Sequence, residues 1–214
     1  MVSFVFWHCT ECCAINFLAH LLLGGDSDAE RAGALLGDFV KGPVAPDWPH
    51  DLAHGIRLHR AIDLFTDAHA CWRASKQRFP VGQRRFAGIT VDLLYDHLLA
   101  RDWHRHDHRA LTDFSAQAYA SIARYEAHFP PRLQRMFPVM VAEDWLTGYA
   151  SLDRTLAQLV RMSTRSPRLA PLAHTTESIA AIYDGLAHDF EAFFPDLKEF
   201  ATQRRAKGFP PASR

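Results

Sequence analysis

An all-α fold, a single-domain helical bundle, is what this sequence predicts, and three observations predict it. Apolar residues recur at helical spacing along most of the chain. Sustained alternation, the mark of a half-buried strand, is almost absent. Segments rich in Ala, Leu and Arg fall between Pro and Gly breaks. The 214 residues suit one domain. Their 48% hydrophobic content is that of a globular chain rather than a disordered one. A chain of this length buries roughly 70% of its unfolded surface, so its core needs neither disulfide nor metal.

The elements follow in order, each bound being approximate. The first helix runs from Asn16 to Leu23 and ends at Gly24-Gly25. The second begins at Ser27-Asp28, with Asp26 or Ser27 as its cap, and runs to Val40, where Gly42-Pro43 stops it. A loop with Pro46 and Pro49 leads to a third helix over Asp51 to Ala74, broken by Phe79-Pro80-Val81-Gly82. A fourth covers Gln83 to His104, and a fifth Thr112 to His128. Pro130-Pro131 opens a sixth, which reaches Leu146, and a seventh spans Ser151 to Met162. After the turn Ser163 to Pro167, a last long helix covers Glu177 to Arg205, interrupted near Pro195. Residues 206–214 read as a frayed tail.

Composition excludes several classes. Lys plus Arg number 24 and Asp plus Glu number 24, so no global field draws the chain to nucleic acid or to an anionic membrane. No stretch approaches the ~18 consecutive apolar residues of a membrane span. The opening MVSFVFWHCTECCA lacks the basic region and cleavage site of a signal peptide. Cys9, Cys12 and Cys13 crowd together, with Cys71 apart, which is no disulfide framework. Cys9-x-x-Cys12 has the spacing of half a zinc site, but no second pair follows, and it reads as a chance cluster. The chain is expected in the cytoplasm.

The informative polar residues lie on apolar helix faces. In GIRLHRAIDLFTDAH, His59 and Asp63 are four apart and share a stripe with Leu52 and Ile56. In ITVDLLYDHLLARDW, Asp92 and Asp96 are four apart and share a stripe with Leu99 and Trp103, while His97 sits about 100° round the helix. Asn16 and His20 are four apart in INFLAHLLLGG, and Asp38 stands near the end of GALLGDFVKGP. Buried ionisable groups are costly unless paired or bound to metal, and two carboxylates on one stripe repel unless a cation lies between them. His20, Asp38, His59, Asp63, Asp92, Asp96 and His97 are therefore candidates for one cleft. Mixed imidazole and carboxylate ligands suit Mn, Fe, Zn or Mg. A local His–Asp hydrogen bond is the competing reading of each pair.

The blocks NFLAHLLLGG, GALLGDFVKGP, GIRLHRAIDLFTDAH and ITVDLLYDHLLARDW, with the later EDWLTGY and MSTRSPRL, resemble the acyl carrier protein phosphodiesterases over residues 15 to 200. The resemblance implies an all-helical domain remotely related to the HD-type metal-dependent phosphohydrolases. It implies hydrolysis of the phosphodiester between 4′-phosphopantetheine and a serine of holo-acyl carrier protein, with a divalent cation: manganese first, magnesium, iron(II) or cobalt as alternatives. On that reading Asp38, His59, Asp63 and Asp96 are the foremost ligands, and His20 and Asp92 complete the shell or orient it. A bound metal acidifies its water and polarises a phosphoryl oxygen. His97 is the expected proton donor to the leaving serine. Arg60 either steadies the phosphoryl oxygens or is a solvated surface arginine.

The implied partner is small and acidic, so a basic patch should meet it. Arg73, Lys76, Arg78, Arg84 and Arg85 form a run without acids between the two ligand-bearing helices, and Arg161, Arg165 and Arg168 form a second. Charge runs are usually solvated faces, but the first joins the two helices with the candidate ligands, which places it near the cleft mouth. The family pattern begins at a Met before Asn-Phe-Leu-Ala-His, where this chain has Ile15 and fourteen residues ahead of it. Residues 1–14 are thus an N-terminal extension of unassigned role, residues 15–205 the domain. Two other classes remain open: a helical metal phosphohydrolase acting on a nucleotide or other small phosphoester, and a non-catalytic module that binds an acidic partner.

Overall fold

The structure, a computed structural model, describes residues 17–44 and 46–209. Asn16, the extension with Cys9, Cys12 and Cys13, and the end of the expected tail lie outside the described residues. Among the described residues there are ten α-helices and no strand. They are α1 (Phe17–Leu23), α2 (Asp28–Leu36), α3 (His50–Ala68), α4 (Ala70–Arg78), α5 (Arg84–Arg101), α6 (Leu111–Ala123), α7 (Pro131–Ala142), α8 (Trp145–Gly148), α9 (Leu152–Ser163) and α10 (Ile179–Lys207). None is long and apolar enough to cross a membrane.

The core is one continuous cluster of aliphatic and aromatic side chains. Helix α5 runs through it, with Val91, Leu93, Leu94, Leu98 and Leu99 all buried. Helices α1, α4, α9 and α10 pack around α5, and α2 packs along α3. That second pairing depends on glycine. A side chain at Gly33 would strike the backbone of Leu52, and one at Gly55 would strike the backbone of Glu30. The two backbones approach closely because both positions lack a Cβ.

Several expected boundaries move. Ser27 and Glu30 form a reciprocal capping box at the start of α2, as the Ser–Asp signal suggests. The helix then ends at Leu36, not Val40, so Asp38 sits in the turn beyond it. The expected third helix is two. His69 is extended and its Nδ1 accepts the Cys71 amide, so the ring ends α3 and caps α4. The expected sixth helix also divides. Asp144 takes a left-handed conformation (φ 43°), and its carboxylate caps α8. The last helix is not interrupted: α10 continues through Pro195. Its buried stripe of Phe190, Phe193, Phe194, Leu197 and Ala201 outweighs the backbone bond that Pro195 removes.

Candidate metal centre

Three elements bring four ligand-type side chains to one place. Helix α1 supplies His20, the turn after α2 supplies Asp38, and α3 supplies His59 and Asp63 one turn apart. His20 Nε2 lies 3.1 Å from Asp63 Oδ1. His59 Nε2 lies 3.2 Å from Asp63 Oδ2 and 3.5 Å from Asp38 Oδ1. The two imidazoles stack, centroids 3.8 Å apart. One ligand atom from each of His20, His59 and Asp63 falls within 4.8 Å of the others, a spacing that could hold a metal ion.

Local sequence builds this geometry. Asp96, buried on α5, accepts the amides of Leu18 (2.8 Å) and Ala19 (2.9 Å), which fixes the start of α1 and so the height of His20. The Gly33–Gly55 contact draws the end of α2 against α3. Gly37 then faces the His59 ring, which a side chain there would displace. Arg60 Nη2 donates to the Val40 carbonyl at 2.7 Å and pins the turn that carries Asp38.

The donor atoms fit a cation. His20 Nδ1 and Nε2, His59 Nδ1 and Asp38 Oδ2 are buried without a hydrogen-bond partner. His20 Nε2 has the Asp63 carboxylate within reach, yet the angle makes no hydrogen bond. Buried polar atoms are nearly always bonded, so a group of orphaned ligand atoms asks for an explanation. Two imidazoles with carboxylates suit a borderline or hard divalent ion. Burial and the neighbouring His59 lower the His20 pKa. Burial opposes charge on His59, but Asp63 and Asp38 outweigh it and raise this ring well above the usual histidine value. Desolvation also opposes charge on Asp63, and His59 and His20 outweigh it, holding this carboxylate far below the usual range.

The remaining candidates are placed elsewhere. Both Asp96 oxygens are engaged by backbone amides, so its surroundings make it an anchor for α1. Burial raises its pKa well above the usual carboxylate value, although the Ala19 and Leu18 amides pull the other way. Asp92 Oδ1 accepts the Trp72 indole N–H at 2.9 Å, and burial pushes its pKa up to about 8. His97 is the clearest departure from expectation. One ring nitrogen contacts the Tyr149 carbonyl and the other the Tyr183 hydroxyl, each at 2.7 Å, so neither is available to a cleft.

The basic run also divides. Arg78 pairs bidentately with Asp189. Arg84 caps α4 through the Gln77 and Phe79 carbonyls. Arg73 donates to the Asp67 carbonyl, Lys76 lies over the Trp72 ring, and Arg85 lies beside Phe86. The sequence reading ranked His20 below its place here and had no signal for Gly33, Gly37 or Gly55. Glycine inside a helix pattern is the one hint it carried.

The model of a family described as acyl carrier protein phosphodiesterase matches residues 15–197. An acyl carrier protein phosphodiesterase of Yersinia pestis is 34% identical over 192 residues, covering 89% of this chain and 100% of that protein. One from Salmonella paratyphi A is 36% identical over 191 residues, covering 89% and 99%. One from Salmonella dublin has the same identity and coverage. No solved structure matches the chain.

Proposed function

The chain belongs to the acyl carrier protein phosphodiesterase family, and from that premise we propose that it hydrolyses the phosphodiester joining 4′-phosphopantetheine to a serine of holo-acyl carrier protein. The products are apo-carrier protein and free 4′-phosphopantetheine. The observation that carries the reading is the convergence of His20, His59 and Asp63, with buried ligand atoms lacking partners. Kinship with the HD-type phosphohydrolases belongs to the same reading, and imidazoles and carboxylates meeting from separate helices support it.

His20, His59 and Asp63 would hold a divalent cation, manganese foremost, and Asp38 beside His59 would join them. When bound, the ion supplies charge neutralisation at the phosphoryl group and an acidified water. A water would add its oxygen to phosphorus as the bond to the serine oxygen breaks, and the proton that this water gives up would pass, through solvent at the open edge of the cluster, to the serine oxygen. Asp63, 46% exposed, leaves the cluster open on one side to an incoming diester. Asp96 sets the position of His20 and is a positioning residue rather than a ligand. Asp92 is held by the Trp72 indole and is not among the ligands. Arg60, anchored on the Val40 carbonyl, has further N–H groups that could meet phosphoryl oxygens. His97 has no part in the chemistry. The charge balance and cysteine pattern support a cytoplasmic setting.

Mass spectrometry of holo-carrier protein incubated with this protein and Mn²⁺ tests the proposal. Loss of the phosphopantetheine mass, abolished in His59→Ala, is the expected result. An unchanged carrier mass with folded, metal-loaded protein would overturn it.

A further inference from the structure

We propose that the solvent face of α3 around Arg57, Arg60 and Leu64 is where the body of the protein substrate docks, presenting an acidic face with an apolar side chain against Leu64. This rests on the function proposed above and adds where the carrier sits. The bond to be cleaved joins phosphate to a serine of the carrier itself. Its phosphorus therefore lies one side chain from the carrier's surface. A carrier whose diester reaches the cluster must press that surface against whatever surrounds the cluster's open edge.

The open edge is Asp63. It is 46% exposed, against 1% for His20 and 2% for His59. Asp63 lies on α3, where residues three and four positions away are its neighbours on the helix surface. Arg57, Arg60 and Leu64 fall at i, i+3 and i+7, a single stripe along that surface. Leu64 is 71% exposed. A lone exposed leucine needs no explanation. This one follows Asp63 in sequence, about 100° round the helix, on a stripe with two guanidinium groups that make no ion pair among the described residues; of that stripe Arg60, three residues before Asp63, is its neighbour on the helix surface. An acidic surface would pair with the two guanidinium groups, and an apolar side chain would cover Leu64. The basic run that the sequence offered for docking is less suited, because Arg78 and Arg84 are engaged within the protein.

Calorimetric titration with apo-carrier protein, alongside steady-state kinetics on holo-carrier protein, tests the inference. The variants are Arg57→Glu, Leu64→Glu and Arg85→Glu, with folding checked by circular dichroism. Arg57→Glu and Leu64→Glu should each weaken the Kd for apo-carrier and raise KM for holo-carrier by about ten-fold, with kcat within about three-fold. Added salt should raise the wild-type KM more than that of Arg57→Glu. Unchanged Kd in both α3 variants overturns the inference. So does a Kd weakened only by Arg85→Glu, which would put the carrier on α5. Failure of the wild type to release phosphopantetheine would sink the proposed reaction instead, while the Kd values would still decide the surface.

Discussion

Asp96 on α5 caps α1 across 78 residues of sequence: its Oδ2 accepts the Leu18 amide at 2.8 Å, and its Oδ1 accepts the neighbouring Ala19 amide. A fully buried carboxyl group is thereby spent on the helix start that carries His20. Asp96→Ala should leave two buried amides without partners. The expected loss is about 2–6 kcal/mol in a urea titration, at roughly 1–3 kcal/mol per unsatisfied group. Mn²⁺ affinity should fall with it, because His20 loses its anchor. Full stability in Asp96→Ala would show that the cap is dispensable.

Gly37 makes room for the His59 ring. Its backbone is right-handed helical (φ −51°), so alanine carries no backbone penalty there, and any effect comes from the collision of its methyl group with His59. Gly37→Ala should weaken Mn²⁺ binding at least about ten-fold, in line with the sensitivity of metal sites to groups that orient their ligands. Isothermal titration checks this, and unchanged affinity would mean that His59 is not held where the structure has it.

His97 separates a structural role from a catalytic one. Loss of a general acid typically costs 10²–10⁴-fold in rate. Because both ring nitrogens are already engaged by Tyr149 and Tyr183, His97→Ala should lower the thermal midpoint clearly while reducing kcat less than about ten-fold. A thousand-fold loss of kcat in a folded variant would restore His97 to the chemistry.

Much of this was legible in the sequence, and the limits have physical causes. The His59–Asp63 spacing pointed to the cluster directly, because neighbours on one helix need no tertiary information. The same logic found that Asp96 faces inward, but not what it meets there. A carboxylate on an apolar stripe can be satisfied by a cation or by backbone amides from a distant segment, and only the fold distinguishes them. The surroundings of His97 were hidden for the same reason, since its partners lie 52 and 86 residues away. The splitting of α3 from α4 escaped notice because the cap is a histidine, not one of the usual Ser, Thr, Asp or Asn. Basic residues adjacent in sequence read as one patch, yet the fold turned Arg78 toward Asp189 and Arg84 toward a helix end.

The Arg78–Asp189 pair predicts an acid-sensitive contribution to stability. Burial pushes the Asp189 carboxyl up, but Arg78 and Ser75 hydrogen bonds outweigh it and hold the pKa below the ordinary value. A depressed carboxylate pKa gives stability that is present above the unfolded value, near 4, and is lost as pH falls through the folded value. Asp189→Asn should therefore melt below wild type at pH 7, with the gap narrowing toward pH 3. Scanning calorimetry at both pH values checks it, and a gap that stays constant would contradict the assignment.

The most direct test is a Mn²⁺ titration followed by electron paramagnetic resonance, in which free ion is counted as protein is added. One ion per chain should disappear from the free signal with wild-type protein, and His20→Ala, His59→Ala and Asp63→Asn should each weaken that binding by at least about ten-fold. Wild-type affinity retained in all three folded variants would contradict a metal centre built from these side chains.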